Sequence, residues 1–217
     1  LEPSRKDTLQ PLVDHIKILA KCDEAIALNP KDSKAYFFRG IEKFSPGSYS
    51  DYKGAIADFD KAIELDPNFA DAYTSRGLTK HVLKDYKGAL ADYDKAIKLD
   101  PNNTGAYDGR GIVKCSLGDY KGAIEDSEKA IQLDPTCKED CQPLIDKAKV
   151  IVKCDKAIEL NPNDAEAYLG RGNAKYHLGD YEGAIKDYER AIQLNSSLKS
   201  KLQPAIDEAK KKLDGKR

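Results

Sequence analysis

An all-α fold of antiparallel helix pairs stacked side by side is what this sequence predicts, and three observations predict it. A block of about 34 residues recurs along the chain, apolar residues inside each block follow helical spacing, and an Asn-Pro or Asp-Pro step closes most blocks. YKGAIADFDKAIELDP (52–67) returns as YKGALADYDKAIKLDP (86–101), YKGAIEDSEKAIQLDP (120–135) and YEGAIKDYERAIQLNS (181–196). Each copy follows a second segment: AYFFRGIEKF from Ala35, AYTSRGLTKH from Ala72, AYDGRGIVKC from Ala106 and AYLGRGNAKY from Ala167. Ala89, Leu90, Tyr93, Ala96 and Ile97 form one helical stripe, where a strand would need period two.

In chain order, residues 1–32 read as a long N-terminal helix, a cap or degenerate repeat. Residues 33–69, 70–103 and 104–137 are three helix-pair repeats, 138–164 a long linking helix, 165–198 a fourth repeat and 199–217 a closing helix. Asn29-Pro30, Asp66-Pro67, Asp100-Pro101, Asp134-Pro135 and Asn161-Pro162 end helices, because the residue before Pro is pushed out of the α region. Leu117-Gly118-Asp119 and Leu178-Gly179-Asp180 mark the turn inside a pair. The long element Gln10–Pro30 reappears at Gln142–Pro162, and its opening returns from Gln203. Each copy is expected to be one helix with Pro in its first turn.

Composition narrows the function. Lys plus Arg number 36 against 37 for Asp plus Glu, so no excess charge recommends nucleic acid or an anionic membrane as partner. No run of eighteen apolar residues is present, so no membrane insertion is expected. Five Cys without framework spacing favour a reducing compartment, and a cytoplasmic location is expected. The sequence opens on Leu1-Glu2 without Met, read as an internal start or a cloning remnant of a truncated chain. His15, His81 and His177 fall in different elements, and neither a P-loop nor an H-E-x-x-H pattern occurs, so no enzyme activity, cofactor or metal is expected. Cys137 and Cys141 could approach on a helix but read as packing at a junction.

These residues resemble the tetratricopeptide repeat, a 34-residue helix-turn-helix unit. The family's first-helix aromatic falls on Tyr36, Tyr73, Tyr107 and Tyr168, and its Gly on Gly40, Gly77, Gly111 and Gly172. Its second-helix small-aromatic-small set falls on Ala55, Phe59, Ala62; Ala89, Tyr93, Ala96; Ala123, Ser127, Ala130; and Ala184, Tyr188, Ala191, with Ser127 departing from the pattern. The resemblance implies a right-handed superhelical solenoid and a groove, lined by first helices, that holds a partner peptide. It also implies where a two-carboxylate clamp for chaperone C-termini would sit. Those slots hold Phe37, Ile41, Ser75, Gly105 and Gly109, so the clamp is absent.

Helical spacing instead places Phe37, Ile41 and Phe44; Thr74, Leu78 and His81; Asp108, Ile112 and Cys115; and Leu169, Asn173 and Tyr176 along the groove. A mostly apolar lining points to a peptide or helix of a protein partner and an adaptor role. Self-assembly as a scaffold, or a regulatory part of a larger enzyme, are the alternatives. Tyr49, in the three-residue insertion of the first repeat, is a candidate contact at the rim. Arg39, Arg76, Arg110 and Arg171 are expected to pair with Asp58, Asp92, Asp126 and Asp187 of the facing helix, since a partly buried guanidinium is costly alone.

Overall fold

A computed structural model describes residues 5–45 and 50–215, with backbone alone at 5–9 and 11. The proposed rim residue Tyr49 lies outside the described residues. The described residues form eleven α-helices and no strand: α1 Arg5–Leu28, α2 Ser33–Phe44, α3 Tyr52–Leu65, α4 Ala70–Val82, α5 Tyr86–Leu99, α6 Thr104–Ser116, α7 Tyr120–Leu133, α8 Lys138–Leu160, α9 Ala165–His177, α10 Tyr181–Leu194 and α11 Lys199–Asp214. Two compact units divide the chain, Leu1–Arg110 and Gly111–Arg217, with the boundary inside α6. Within the first, α2 pairs with α3 and α4 with α5; within the second, α9 pairs with α10, and α8 lies between α7 and α9.

Second helices start where the sequence writes Asp-Tyr-x-Gly. Asp51, Asp85, Asp119 and Asp180 are N-caps whose carboxylates accept from the amides of Gly54, Gly88, Gly122 and Gly183 at 2.8, 2.9, 3.0 and 2.9 Å. A Cβ at any of these glycines would collide with the capping carboxylate. In the turn just before, Gly118 and Gly179 take φ of 84° and 83°, while the first unit places Lys84 there at φ 63°. A side chain in that left-handed region is strained. Lys84→Gly is therefore expected to raise stability by about 1 kcal/mol, read as a shift of the urea midpoint.

The aromatic slot of the second helix is the deepest part of each core. Phe59 packs on Gly40, Tyr93 on Gly77 and Gly109, and Tyr188 on Gly172; all three rings are buried. Ser127 fills the same slot against Gly111, sealed from solvent, with no partner for its hydroxyl. The first-helix tyrosines are only half-buried. Tyr36, Tyr73, Tyr107 and Tyr168 carry the guanidinium groups of Arg39, Arg76, Arg110 and Arg171 over their rings at 5.3–5.5 Å.

Three of those arginines also make the anticipated pairs. The Nε atoms of Arg39, Arg76 and Arg171 each donate to Asp58, Asp92 and Asp187 at 2.9 Å, with Nη2 on the second carboxylate oxygen. Lys43, Lys80, Lys114 and Lys175 join Asp58, Asp92, Asp126 and Asp187 at 2.8, 2.7, 2.8 and 2.9 Å. Each Nη1 reaches back to the preceding helix as well: Arg39 to Asp23, Arg76 to Asp60, Arg110 to Asp94 and Arg171 to Asp155. Arg39, Arg76 and Arg171 thus each tie their own hairpin to the helix before it.

The three related helices depart from expectation at their starts. Pro143 and Pro204 lie inside α8 and α11, not in the first turn. The chain enters α8 through a 3-10 turn, Pro135–Cys137, where Asp134 caps the amide of Thr136, so helical geometry is established before Pro143 is reached. One backbone hydrogen bond is forgone at Pro143, and the burial of Cys141 and Ile145 on either side offsets it. Cys137 and Cys141 sulfurs lie 3.6 Å apart, beyond disulfide distance, at this junction.

Candidate interaction surface

The residues expected to line a groove follow one local rule in the first unit. The third member of each triad stacks on the tyrosine that opens the next helix: Phe44 on Tyr52 at 5.8 Å and His81 on Tyr86 at 5.8 Å. The first members are half-buried, Phe37 against Phe69 at 4.7 Å and Thr74 through a hydroxyl that donates to the Ala70 carbonyl. The middle members, Ile41 and Leu78, are left 36% and 40% exposed at equivalent positions of α2 and α4. Asp108, the polar member on α6, is half-buried and stands close enough to Tyr93 that its charge adds to the effect of burial, which raises the phenol pKa.

The second unit treats its share of the stripe differently. Ile112 and Cys115 are half-buried, and burial, with help from Asp180, pushes the Cys115 thiol up to about 11. A thiol with that pKa stays protonated and is a poor nucleophile at neutral pH. Leu169 is not at the surface; it is buried in a core cluster with Tyr188, Leu202 and Ile206. Tyr176 packs against that cluster, stacks on Tyr181 at 5.4 Å and carries the Lys212 ammonium over its ring at 5.3 Å. Asn173 is exposed and its Oδ1 accepts from the Tyr188 hydroxyl at 2.9 Å. The reason is α11: its apolar side folds against α10 and draws Leu169 and Tyr176 inward, which spacing within α9 cannot show.

Two apolar features were not assigned from spacing. Phe38, beside Phe37, is the more exposed of the two rings, and with Ile18, Cys22, Ala25 and Ala35 it lines a cleft between α1 and α2 rimmed by Lys21, Lys34 and Asp32. Val82 and Leu83 extend the exposed apolar surface past Leu78. The pattern Tyr36-Phe37-Phe38 was the available signal, but three consecutive aromatics do not say which turns outward. Among the described residues no group of three His, Cys, Asp or Glu is placed to hold a metal ion, and no helix is long and apolar enough to cross a membrane.

Comparison with known proteins agrees with this geometry. Models described as "Tetratricopeptide repeat" match residues 70–103, 165–198 and 106–137, and one described as "TPR repeat" matches 50–83. Curated relatives include RNA polymerase II-associated protein 3 of Xenopus tropicalis, 48% identical over 42 residues, or 19% of this chain and 6% of that protein. A DnaJ homolog subfamily C member 7 homolog of Dictyostelium discoideum is 35% identical over 63 residues, 29% of this chain and 12% of that protein. The matched segments thus span a small fraction of either relative. Among solved structures, MamA aligns with a TM-score of 0.51 at 20% identity over 91% of this chain and 98% of its own. YrrB, a TPR protein with an unusual peptide-binding site, aligns at 0.54 and 23% identity over 81% and 92%. The first TPR of Spaghetti (RPAP3), bound to the HSP90 peptide SRMEEVD, aligns at 0.50 and 25% identity over 54% and 90%. With its helix hairpins, its Gly-to-aromatic core slots and these matches across more than half of its length, the chain belongs to the tetratricopeptide repeat family.

Proposed function

We propose that this chain is a non-enzymatic interaction module that holds an apolar peptide or helix of a partner protein against its first helices, with Ile41 and Leu78 at the contact. The observation that carries the reading is their exposure at matching positions of α2 and α4, each flanked by half-buried aromatic or small side chains that leave a fixed surface. A surface already held by packing loses little freedom on docking, which favours affinity. The peptide complex of the Spaghetti repeat supports a peptide-binding role in general.

The mode proposed is not a carboxylate clamp. Phe37, Ile41, Ser75, Gly105 and Gly109 bring no cation to an acidic terminus, and at Gly109 the Tyr93 ring occupies the space a side chain would need. In the second unit Ile112 and Cys115 are half-buried, and Leu169 and Tyr176 would have to leave their packing to touch a partner. A cytoplasmic setting fits five thiols outside any disulfide framework.

A double variant, Ile41→Glu with Leu78→Glu, tests the reading. Both positions are exposed, so each change is expected to move stability by no more than about 0.5 kcal/mol. Affinity capture followed by mass spectrometry should show partners lost from the double variant and retained by wild type. Equal recovery would reject this surface; loss from Phe38→Glu instead would move the contact to the α1–α2 cleft. Light scattering on the same samples separates a partner from a second copy of the chain.

A further inference from the structure

The Val13–Ile16 face of α1 is exposed, unlike the same face of the two other copies of this element. The element that opens at Gln10 occurs again at Gln142 and Gln203, and all three copies make the same local bond, from the Gln amide to the Asp four residues on, at 2.8, 2.8 and 3.0 Å. In α8 the apolar stripe Cys141, Ile145, Ala148 and Ile151 is sealed, and α8 packs on the second helix α7. In α11 the stripe Leu202, Ile206 and Ala209 is sealed, and α11 packs on the second helix α10, with Leu202 and Ile206 clustered with its Ala184, Tyr188 and Ala191. In α1 the same slots hold Val13 and Ile16, and these are 41% and 55% exposed where Ile145 and Ala148 are 1% and 0%.

General looseness of α1 does not explain this. The neighbouring slot, Ile18 in α1 and Val150 in α8, is 44% and 43% exposed, the same in both copies. Of the slots compared, those that differ lie on the face that α7 and α10 cover elsewhere. Charge agrees: Lys149 of α8 pairs with Glu128 of α7 at 2.7 Å, and α1 carries Lys17 at the matching position, where it reaches its helix neighbour Asp14 at 3.7 Å.

The connecting sequence points to the same occupant. Leu133-Asp-Pro-Thr-Cys-Lys joins α7 to α8, and Leu194-Asn-Ser-Ser-Leu-Lys joins α10 to α11. In sequence, the first six residues, Leu1-Glu-Pro-Ser-Arg-Lys, share Leu and Lys with both junctions, Pro with the first and Ser with the second. We infer that the Val13–Ile16 face of α1 is a stacking face for one more repeat helix pair of the α9–α10 kind, joined ahead of Leu1 in the same chain, its second helix lying on α1 as α10 lies on α11. Ile16 stands where α8 and α11 have Ala, so the helix that docks there must leave room for a larger side chain.

The test grafts such a pair onto the whole chain: a copy of residues 165–193 placed directly before Leu1, with amide hydrogen exchange and thermal melts as readouts. Protection of amides 12–20 is expected to rise at least about tenfold in the graft, because their opening then requires a packed interface to separate. Ile16→Glu should leave exchange in the original chain unchanged and abolish the gain in the graft. Ile16→Ala, the residue carried by both sealed copies, is included in the graft so that crowding alone cannot hide the effect. No gain in protection in either grafted form overturns the inference. So does concentration-dependent protection of these amides in the original chain, which would make a second copy the occupant.

Discussion

Tyr93→Ala is expected to cost about 3–5 kcal/mol, measured as the fall in unfolding free energy from urea titration. The ring is buried in the first unit between Gly77 and Gly109, and no Cβ on either glycine can move in to fill the space it leaves. Removing only the hydroxyl separates cavity from polarity. The Tyr93 hydroxyl is buried without a hydrogen-bond partner, so Tyr93→Phe should be neutral or stabilising by up to about 1 kcal/mol. Its counterpart Tyr188 donates to Asn173 at 2.9 Å, so Tyr188→Phe should lose about 1 kcal/mol. Equal effects of the two Phe variants would show that these hydroxyls are not placed as described.

Asp92→Ala is the second large loss, expected at about 3–5 kcal/mol in the same titration. The Asp92 side chain is 5% exposed and accepts from both Arg76 and Lys80, which would be left as cations without a counter-charge in a poorly solvated place. Asp60 binds the same arginine from the preceding helix but is 54% exposed, so Asp60→Ala should cost no more than about 1 kcal/mol. A similar cost for the two variants would mean that burial does not set the strength of these pairs. The contrast matters for how the repeats couple. The buried carboxylate holds the hairpin, and the exposed one contributes mainly the direction in which Arg76 points back.

Some of this was legible in residues alone because its causes are local. The Asp-Tyr-x-Gly starts, the Pro stops and the Gly-to-aromatic spacing are each decided within a turn or one hairpin, and these segments are helical as the fold class requires. The Arg39–Asp58, Arg76–Asp92 and Arg171–Asp187 pairs were readable for the same reason, since both partners sit on one hairpin. The back-contacts to Asp23, Asp60, Asp94 and Asp155 were not, because they cross from one hairpin to the helix before it. Pro143 was expected in the first turn of its helix, but the 3-10 turn at Pro135–Cys137 sets α8 going from Lys138 and leaves Pro143 inside it.

The candidate surface divides along the same line. Periodicity selects the face of a helix that carries Phe37, Ile41 and Phe44, or Leu169, Asn173 and Tyr176, because a 3.6-residue repeat depends only on the helix itself. It does not say what lies on that face. Two copies of nearly the same stripe end differently, Val13 and Ile16 open in α1 and Ile145 and Ala148 sealed in α8, and the difference is whether a second helix packs against them. Fold class and the Arg39–Asp58, Arg76–Asp92 and Arg171–Asp187 pairs were thus determined by the sequence, through interactions confined to one helix or one hairpin. Which apolar residues remain available to a partner was decided by tertiary packing, since exposure belongs to the neighbours of a side chain and not to its own place in the pattern.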